Sequence, residues 1–391
     1  MDNPLKKAFN GWKITLAILI GLVVSSWMVY QGLSSTHYVE TSPGTGNYIW
    51  FDSNGNSVVD KDSPEEFILS EEGNYKEQSA TEMLMSIEWT SSSITWLIVA
   101  GLLMVSRDFF YILRIRHLTS LQLGWKSATF VILLWEFASA LSPGVVGGAA
   151  VAMFILNRET IPFGKATAIV ILTAFMDNLF FVLMIPLVFV FIHHQDLFPI
   201  TEGSSLLLSW WFWCGFGVIF TVCLLLYLSI FWFPKLVTNF LLFIFRLPFL
   251  KRWSFVAQEW GKDVERAAIE FKSQSSVFWI KTFAYTFLSW MSRYLVINAI
   301  LNAFISLNYL DNIRILGKQL ILWLFMLVSP TPGGSGVAEF AFSELLSEFS
   351  SSTMLIIALA IVWRLISYFP YLFIGAILLP SWIKRTRGGN Y

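Results

Sequence analysis

Long apolar runs separated by short polar segments fill most of this chain. A helix needs roughly 20 apolar residues to cross a bilayer. Six runs meet this length, near residues 12–33, 92–113, 166–192, 206–233, 277–301 and 353–380. The pattern predicts an all-α integral membrane protein with these runs as transmembrane spans. The first run is too long for a signal-peptide core, so we expect it to be retained as a helix.

Two further apolar segments, near 124–157 and 314–347, are interrupted by proline and glycine at 142–148 and 329–336. Proline removes a backbone donor and glycine frees the backbone, so a helix is expected to end at each interruption. Each arm then holds about 12–17 residues, which is short for a crossing. We therefore predict two re-entrant helical hairpins, whose tips must be surrounded by protein or water.

The placement of basic residues predicts the orientation, because cytoplasmic loops collect lysine and arginine. The N-terminus, the segment from Arg114 to Lys126, the segment 234–275 and the C-terminus are basic, whereas 35–88 is acidic. Both termini are therefore predicted to be cytoplasmic, and 35–88 to lie outside. Treating 124–157 as one crossing would place the basic segment 234–275 outside, so the hairpin interpretation fits better.

The order span, span, hairpin, span occurs twice with opposite orientation, over about 1–192 and 206–380. This order predicts an inverted repeat, an architecture that places a substrate site near the membrane midplane between the halves. We divide the chain into an N-terminal span at 1–34, an acidic extracytoplasmic loop at 35–91 and a membrane domain at 92–391.

The acidic loop carries a predicted β-hairpin, with strands at 48–51 and 57–59 around a turn at Asn54 and Gly55. The acidic and amide residues of 52–60 also have the spacing of a calcium loop, but a serine stands where that loop requires glycine. We favour the hairpin.

On the predicted cytoplasmic side, 253–271 has apolar residues at intervals of three and four with basic residues between them. This period predicts an amphipathic helix at the membrane interface. A structural elbow is favoured there over a binding role.

Composition excludes several functional classes. The chain is 56% hydrophobic and 13% charged, and its net charge of +0 gives no indication of nucleic-acid binding. Cys214 and Cys223 lie on one predicted helix, too far apart to bridge. The sequence has no P-loop and no zinc-binding histidine or cysteine motif, so neither a metal nor a cofactor is expected.

Charged residues inside the apolar segments are candidate functional residues. The four nearest the membrane centre are Asp177, Arg293, Glu339 and Arg364. Each costs about 2.5–3.5 kcal/mol there unless it is paired or hydrated, so these side chains are expected to face inward. We predict that Glu339 and Arg364 lie within ion-pair or one-water distance of each other. A purely structural ion pair is the alternative to a functional role. Arg107, Asp108, Lys281 and Lys318 lie nearer span ends, where snorkelling accounts for them.

The two hairpin tips suggest a second way to bind substrate. The tip residues concerned are Gly147, Gly148, Pro332, Gly333, Gly334 and Gly336. The second arm of each hairpin begins there, and helix N-termini attract anions such as phosphate. With Arg364 and Arg293 nearby, the tips predict a pocket for a phosphate-bearing headgroup.

The run Ser329 to Glu339, with its Pro-Thr-Pro-Gly-Gly centre, followed by Trp363 to Pro370, resembles the flippase-like transmembrane domain family. That family includes the membrane part of lysylphosphatidylglycerol synthase/flippase. The resemblance covers about 92–380 and implies a lipid-translocating domain, with Glu339 and Arg364 at the family's acidic and basic positions. The first tip departs from the family pattern, because Val145 and Gly148 replace its charged residues.

These observations predict a flippase that moves an anionic or phosphate-bearing lipid between leaflets, and not an enzyme. The alternative is a membrane enzyme, or an enzyme subunit, that acts on a lipid-linked sugar or polyprenyl phosphate; a non-transporting scaffold is the third interpretation. The resemblance implies a bacterial cytoplasmic (inner) membrane location. Association into a homo-oligomer or with a lipid-synthesising enzyme stays open.

Overall fold

The chain is described by a computed structural model at residues 30, 36–53, 55, 59, 64–79, 82, 89–142, 146–198, 204–233, 235, 239, 262, 265–329, 331, 333–350 and 353–387. The predicted first span, 12–33, therefore lies outside the described residues apart from Tyr30, and so does Pro332.

A four-stranded antiparallel sheet precedes the helical part, so the all-α prediction holds only for the membrane portion. The strands are β1 (Thr36–Glu40), β2 (Gly46–Trp50), β3 (Phe67–Gly73) and β4 (Tyr75–Ser79), in the order β1-β4-β2-β3. Tyr38 stacks on Phe67 with ring centroids 4.0 Å apart, and this contact forms the small core of the sheet.

The predicted β-hairpin is half correct. Its first strand is β2, but Ile49 pairs with Ile68 of β3, and Tyr48 also pairs with Tyr75 of β4. Most of the predicted partner strand, 57–59, lies outside the described residues, and Val59 is not in a strand. The local Asn-Gly signal identified the strand but not its partners, because the pairing is made with residues further along the chain.

The helical part contains eleven described α-helices. They are α1 (Ser91–Leu118), α2 (Trp125–Leu141), α3 (Val146–Arg158), α4 (Phe163–Phe191), α5 (His194–Leu197), α6 (Ser204–Phe231), α7 (Ser276–Asn302), α8 (Tyr309–Val328), α9 (Val337–Leu346), α10 (Thr353–Ser367) and α11 (Phe369–Arg387). Hydroxyl and amide caps define several starts: Thr90 accepts from the Ser93 N–H before α1, and Asn308 accepts from the Asp311 N–H before α8.

Four described helical segments are long and apolar enough to cross a membrane. They are α1, α4, Ser209–Phe231 of α6, and Met354–Thr386, which runs through α10 and α11. The predicted span 277–301 forms the 27-residue helix α7 but is less apolar than these four. The chain is therefore a multi-pass membrane protein.

Both interrupted segments divide into two short helices, as the proline and glycine positions predicted. The first gives α2 and α3, of 17 and 13 residues, and the second gives α8 and α9, of 20 and 10 residues. The predicted interfacial helix is described only at 262 and 265–272; this part is helical, with Ala268 and Phe271 buried and Arg266 exposed.

Two large apolar cores, and a third small one around Phe137 and Tyr368, hold the helices together. One core includes Phe181, Ile300 and Phe342 and joins α4, α7, α8, α9 and α10. The other includes Leu134 and Ile155 and joins α1, α2, α3 and α4. α7 also lies along α1, where the Ser289 hydroxyl donates to the Arg107 carbonyl at 3.0 Å. This packing brings the polar residues of α1, α4, α7 and α10 into the interior.

Candidate functional site

The second interruption forms a compact turn between α8 and α9. The Gly334 N–H donates to the Thr331 carbonyl at 3.1 Å, and the Thr331 hydroxyl donates to the Ser335 carbonyl at 2.8 Å. Gly333, Gly334 and Gly336 have φ of +58°, +69° and +87°. L-residues rarely adopt this left-handed region, so the turn strongly favours glycine at all three positions.

Glu339 and Arg364 meet beneath this turn, as the sequence predicted. Arg364 Nε lies 3.1 Å from Glu339 Oε1, and both side chains are almost completely buried. These two atoms form an ion pair but not an aligned hydrogen bond, because neither has a hydrogen-bond partner among the described residues. Glu339 Oε2 accepts from the Gly336 N–H at 2.8 Å. The carboxylate thus occupies the helix N-terminus that the sequence suggested for a phosphate.

Arg364 also holds the turn itself. Its terminal nitrogens donate to the Gly333 carbonyl at 3.3 Å and to the Ser335 hydroxyl at 3.1 Å. Its guanidinium lies 3.8 Å from the centroid of the Tyr368 ring. The Tyr368 hydroxyl in turn donates to the Ala140 carbonyl at 3.2 Å, near the end of α2. One arginine therefore connects the second interruption with the first.

Arg293 adds an uncompensated positive charge to this region. It is half-buried on α7, its guanidinium lies 5.5 Å from the Trp290 ring, and no described carboxylate lies within ion-pair distance of it. Its charge acts on Arg364 and on the Tyr294 hydroxyl. Together, Arg293, Arg364 and Glu339 leave one net positive charge, which favours an anion.

Asp177 belongs to a separate ion pair. Its Oδ1 accepts from Arg114 at 2.6 Å and from the Trp290 indole at 3.0 Å. Arg114 was predicted to help form a cytoplasmic loop, and this prediction is wrong. Helix α1 extends about one turn beyond the predicted end at 113, so Arg114 is helical and buried.

The snorkelling interpretation of Arg107, Asp108 and Lys318 is also wrong. Arg107 is only 1% exposed and contacts Asp108 at 2.9 Å and Glu136 at 2.7 Å. Lys318 is 2% exposed and lies 3.0 Å from Glu348. Each cation points into the protein because carboxylates compensate its charge there. These are Asp108 and Glu136 for Arg107, and Glu348 for Lys318. Lys281 is exposed, and its snorkelling stays a prediction.

Glu136 is a polar residue of the interior that was not predicted from the sequence. It lies on α2, inside the first interrupted segment, and contacts Arg107 of α1. A carboxylate within an apolar run was the available signal. Its partner could not be read from the sequence, since only the packing of α1 against α2 brings the two together.

The first interruption differs from the second. A Cβ on Gly148 would overlap the Ser139 side chain, so this glycine allows α2 and α3 to pack closely. Gly147 lies in the first turn of α3, and residues 143–145 are outside the described ranges. The described part of this tip therefore supports a packing role and shows no charged residue comparable to Arg364.

An apolar cavity of 320 Å³ lies between α4, α7 and α8. Its lining includes Met184, Val188, Met291, Tyr294 and Leu320, and none of the sequence-predicted site residues. The hydroxyl of Tyr294 is buried without a hydrogen-bond partner among the described residues. Such a lining suits a hydrocarbon chain better than a charged headgroup.

The family described as the lysylphosphatidylglycerol synthase TM region matches residues 83–375. The chain belongs to this family. A UPF0104 membrane protein of Archaeoglobus fulgidus is 25% identical over 319 residues, which cover 74% of this chain and 90% of that protein. No solved structure shows a significant match.

Family membership confirms the resemblance drawn from Ser329 to Pro370. The matched region runs from just before α1 into α11 and includes every predicted site residue, from Gly147 to Arg364. The family concerned is a membrane domain related to lysylphosphatidylglycerol synthase/flippase proteins.

Proposed function

We propose that this protein moves an anionic or phosphate-bearing lipid between the leaflets of a membrane. The observation that carries the proposal is the cluster at the second interruption, where the buried Arg364 and the half-buried Arg293, which has no carboxylate partner among the described residues, outnumber Glu339. Burying unpaired positive charge in a membrane protein is costly and marks substrate pathways. A phosphate group is the kind of ligand that would compensate it.

A headgroup phosphate would compete with Glu339 for Arg364. The Nε of Arg364 has no aligned acceptor in the described structure, so it can turn to a phosphate oxygen without breaking a hydrogen bond. Arg293 would supply the second cation, and charge-assisted contacts of this type are about twice as strong as neutral ones. The hydrocarbon tails would stay in the bilayer or lie in the apolar cavity between α4, α7 and α8.

The short helix pairs α2–α3 and α8–α9 support an arrangement of two re-entrant hairpins in an inverted repeat. Arms of 10 to 20 residues separated by glycine turns are typical of interrupted membrane helices at substrate sites. On this proposal the described helices α1, α4, α6, α7 and the α10–α11 unit span the membrane, together with the predicted N-terminal span. Both termini would face the cytoplasm of a bacterium.

Cysteine accessibility tests this topology. Thr160→Cys, between α3 and α4, should react with an impermeant thiol reagent from the cytoplasmic side only. Ser350→Cys, just after α9, should react from the outside only. The native Cys214 and Cys223 are replaced first, and this cysteine-free protein is the control. Reaction of position 160 from outside, or of position 350 from inside, would contradict the hairpins.

Replacing Arg293 tests the headgroup site. In proteoliposomes with fluorescent phosphatidylglycerol, Arg293→Gln should slow translocation about tenfold or more, since a hydrogen bond to a charged group contributes about 1.5–3 kcal/mol. Thermal stability should stay nearly unchanged, because Arg293 has no ion-pair partner in the described structure. The readout is the fraction of fluorescence that a membrane-impermeant quencher reaches over time.

Lys281→Gln is the matched control, because it removes the same charge from an exposed position of the same helix. It should leave translocation unchanged. Equal rates for Arg293→Gln and the native protein would remove Arg293 from the site. Formation of a covalently altered lipid, seen by mass spectrometry without movement between leaflets, would favour the membrane-enzyme alternative.

A further inference from the structure

A second buried polar cluster lies on α1, α2 and α11, apart from the glycine turn. Arg107 Nη1 lies 2.9 Å from Asp108 Oδ1, and Arg107 Nη2 lies 2.7 Å from Glu136 Oε2. Arg107 Nη1 also donates to the Tyr371 hydroxyl at 2.9 Å, and this hydroxyl donates to Asp108 at 2.8 Å. Two carboxylates therefore share one guanidinium, and the phenol of Tyr371 connects that guanidinium with Asp108.

This cluster has an excess negative charge. Arg107 compensates one of its two carboxylates, and the neighbouring Arg114 is already paired with Asp177. Tyr111 lies between the two arginines, 4.7 Å from Arg107 and 4.6 Å from Arg114, but adds no charge in its neutral form. Two like charges on one site favour the binding of a proton by one of them.

The other elements around the cluster do not compensate this charge. α7 contributes the Ser289 hydroxyl, which donates to the Arg107 carbonyl, and Arg293, which has no carboxylate partner among the described residues. α10 contributes Arg364, which is paired with Glu339. The proposed headgroup site therefore lies near the cluster and is electrostatically linked to it, but its cations are not in contact with Asp108 or Glu136.

Depth and access also fit an exchange of protons. Glu136 lies about 16 Å along α2 from its first residue, and Arg107 about 16 Å from the end of α1, at a rise of about 1.5 Å per residue. Both positions are roughly halfway through a hydrocarbon core about 30 Å thick. Arg107 is buried, yet the Asp108 and Glu136 side chains retain 19% and 21% exposure. Lipid contact by a carboxylate is costly, so we expect water rather than lipid to reach these two side chains through a crevice.

We propose that Asp108 and Glu136 form a proton-binding site that couples lipid movement to a pH gradient. One carboxylate takes up a proton from the crevice, becomes a neutral acid, and releases the same proton when the crevice faces the other side. No other reactant is needed. The proposal rests on the proposed lipid movement for its coupling, but proton binding itself does not depend on it.

Carbodiimide labelling measures proton binding without any transport. Dicyclohexylcarbodiimide reacts with protonated carboxyls in apolar sites, and peptide mass spectrometry locates the adduct. In purified native protein, labelling at Glu136 or Asp108 should fall by roughly tenfold per pH unit above the apparent pKa of the pair. Labelling that does not change with pH, or the absence of an adduct at both positions, would overturn the proposal.

Proteoliposomes with fluorescent phosphatidylglycerol test the coupling. A pH gradient should accelerate translocation by the native protein, and Glu136→Gln should abolish this acceleration while movement without a gradient continues. Asp108→Asn is the second variant, in case the first does not fold. Glu344→Gln, which removes an exposed carboxylate of α9, should keep the full response.

The failures of the two proposals can be told apart. If the native protein moves no lipid but Glu136 labels in a pH-dependent way, the lipid-movement proposal fails and proton binding is supported. If lipid moves at a rate independent of the gradient, or if Glu136→Gln retains the full gradient response, proton coupling is overturned and lipid movement stands.

Discussion

Neutralising either Glu339 or Arg364 alone should destabilise the protein more than neutralising both. Each single change, Glu339→Gln or Arg364→Gln, leaves one buried charge without its partner 3.1 Å away. Breaking a buried pair in this way costs about 3–5 kcal/mol, whereas replacing both charges is often nearly neutral. The double variant should therefore recover much of the lost stability, as measured by thermal unfolding in detergent.

The Glu339/Arg364 double variant also shows whether the pair is needed for lipid translocation as well as for stability. The double variant should be folded but slow in lipid translocation, because Arg364 is needed to hold both the glycine turn and a headgroup. Lys318 and Glu348 supply a comparison, since Lys318 is equally buried but its partner is 47% exposed. Their double neutralisation should leave translocation unchanged. Strictly additive losses in the Glu339/Arg364 cycle would contradict the pairing.

Much of the helical architecture could be predicted because the decisive signals are local. Apolar length located α1, α4 and α6, and the proline and glycine positions located the breaks between α2 and α3 and between α8 and α9. Glu339 and Arg364 were paired correctly because each is a costly charge with a limited choice of partners inside the membrane.

The errors arose where a partner is distant in sequence. Arg114 meets Asp177 across 63 positions, and this contact depends on the packing of α7 against both α1 and α4. Arg107 could be assigned to a span end by its position, but the direction of its side chain depends on Glu136 of α2. The strand β2 was correct and its partner wrong for the same reason.

Gly333→Ala should be the most damaging substitution of a tip glycine. An alanine there must adopt a φ of +58°, and its Cβ would overlap the Tyr368 ring. The left-handed conformation costs about 1–2 kcal/mol, and overpacking adds about 1–3 kcal/mol. Moving Tyr368 would also disturb the stacking with Arg364 and the hydrogen bond to Ala140. Thermal unfolding and lipid translocation should therefore both be impaired.

Gly334→Ala distinguishes a tip that binds substrate from one that only packs. Its φ is +69°, but a Cβ would meet only the Met326 side chain, at 3.4 Å, so the cost is mainly the backbone strain of about 1–2 kcal/mol. Gly101→Ala is the control, because Gly101 is helical and has open space around it. It should be neutral or stabilising.

If the tip binds the headgroup, Gly334→Ala stays folded and loses translocation, because the added methyl group keeps the phosphate from the turn. Normal translocation by a well-folded Gly334→Ala protein would exclude the turn from the mechanism and leave Arg293 and Arg364 as the only candidates for headgroup contact in the described part of the chain.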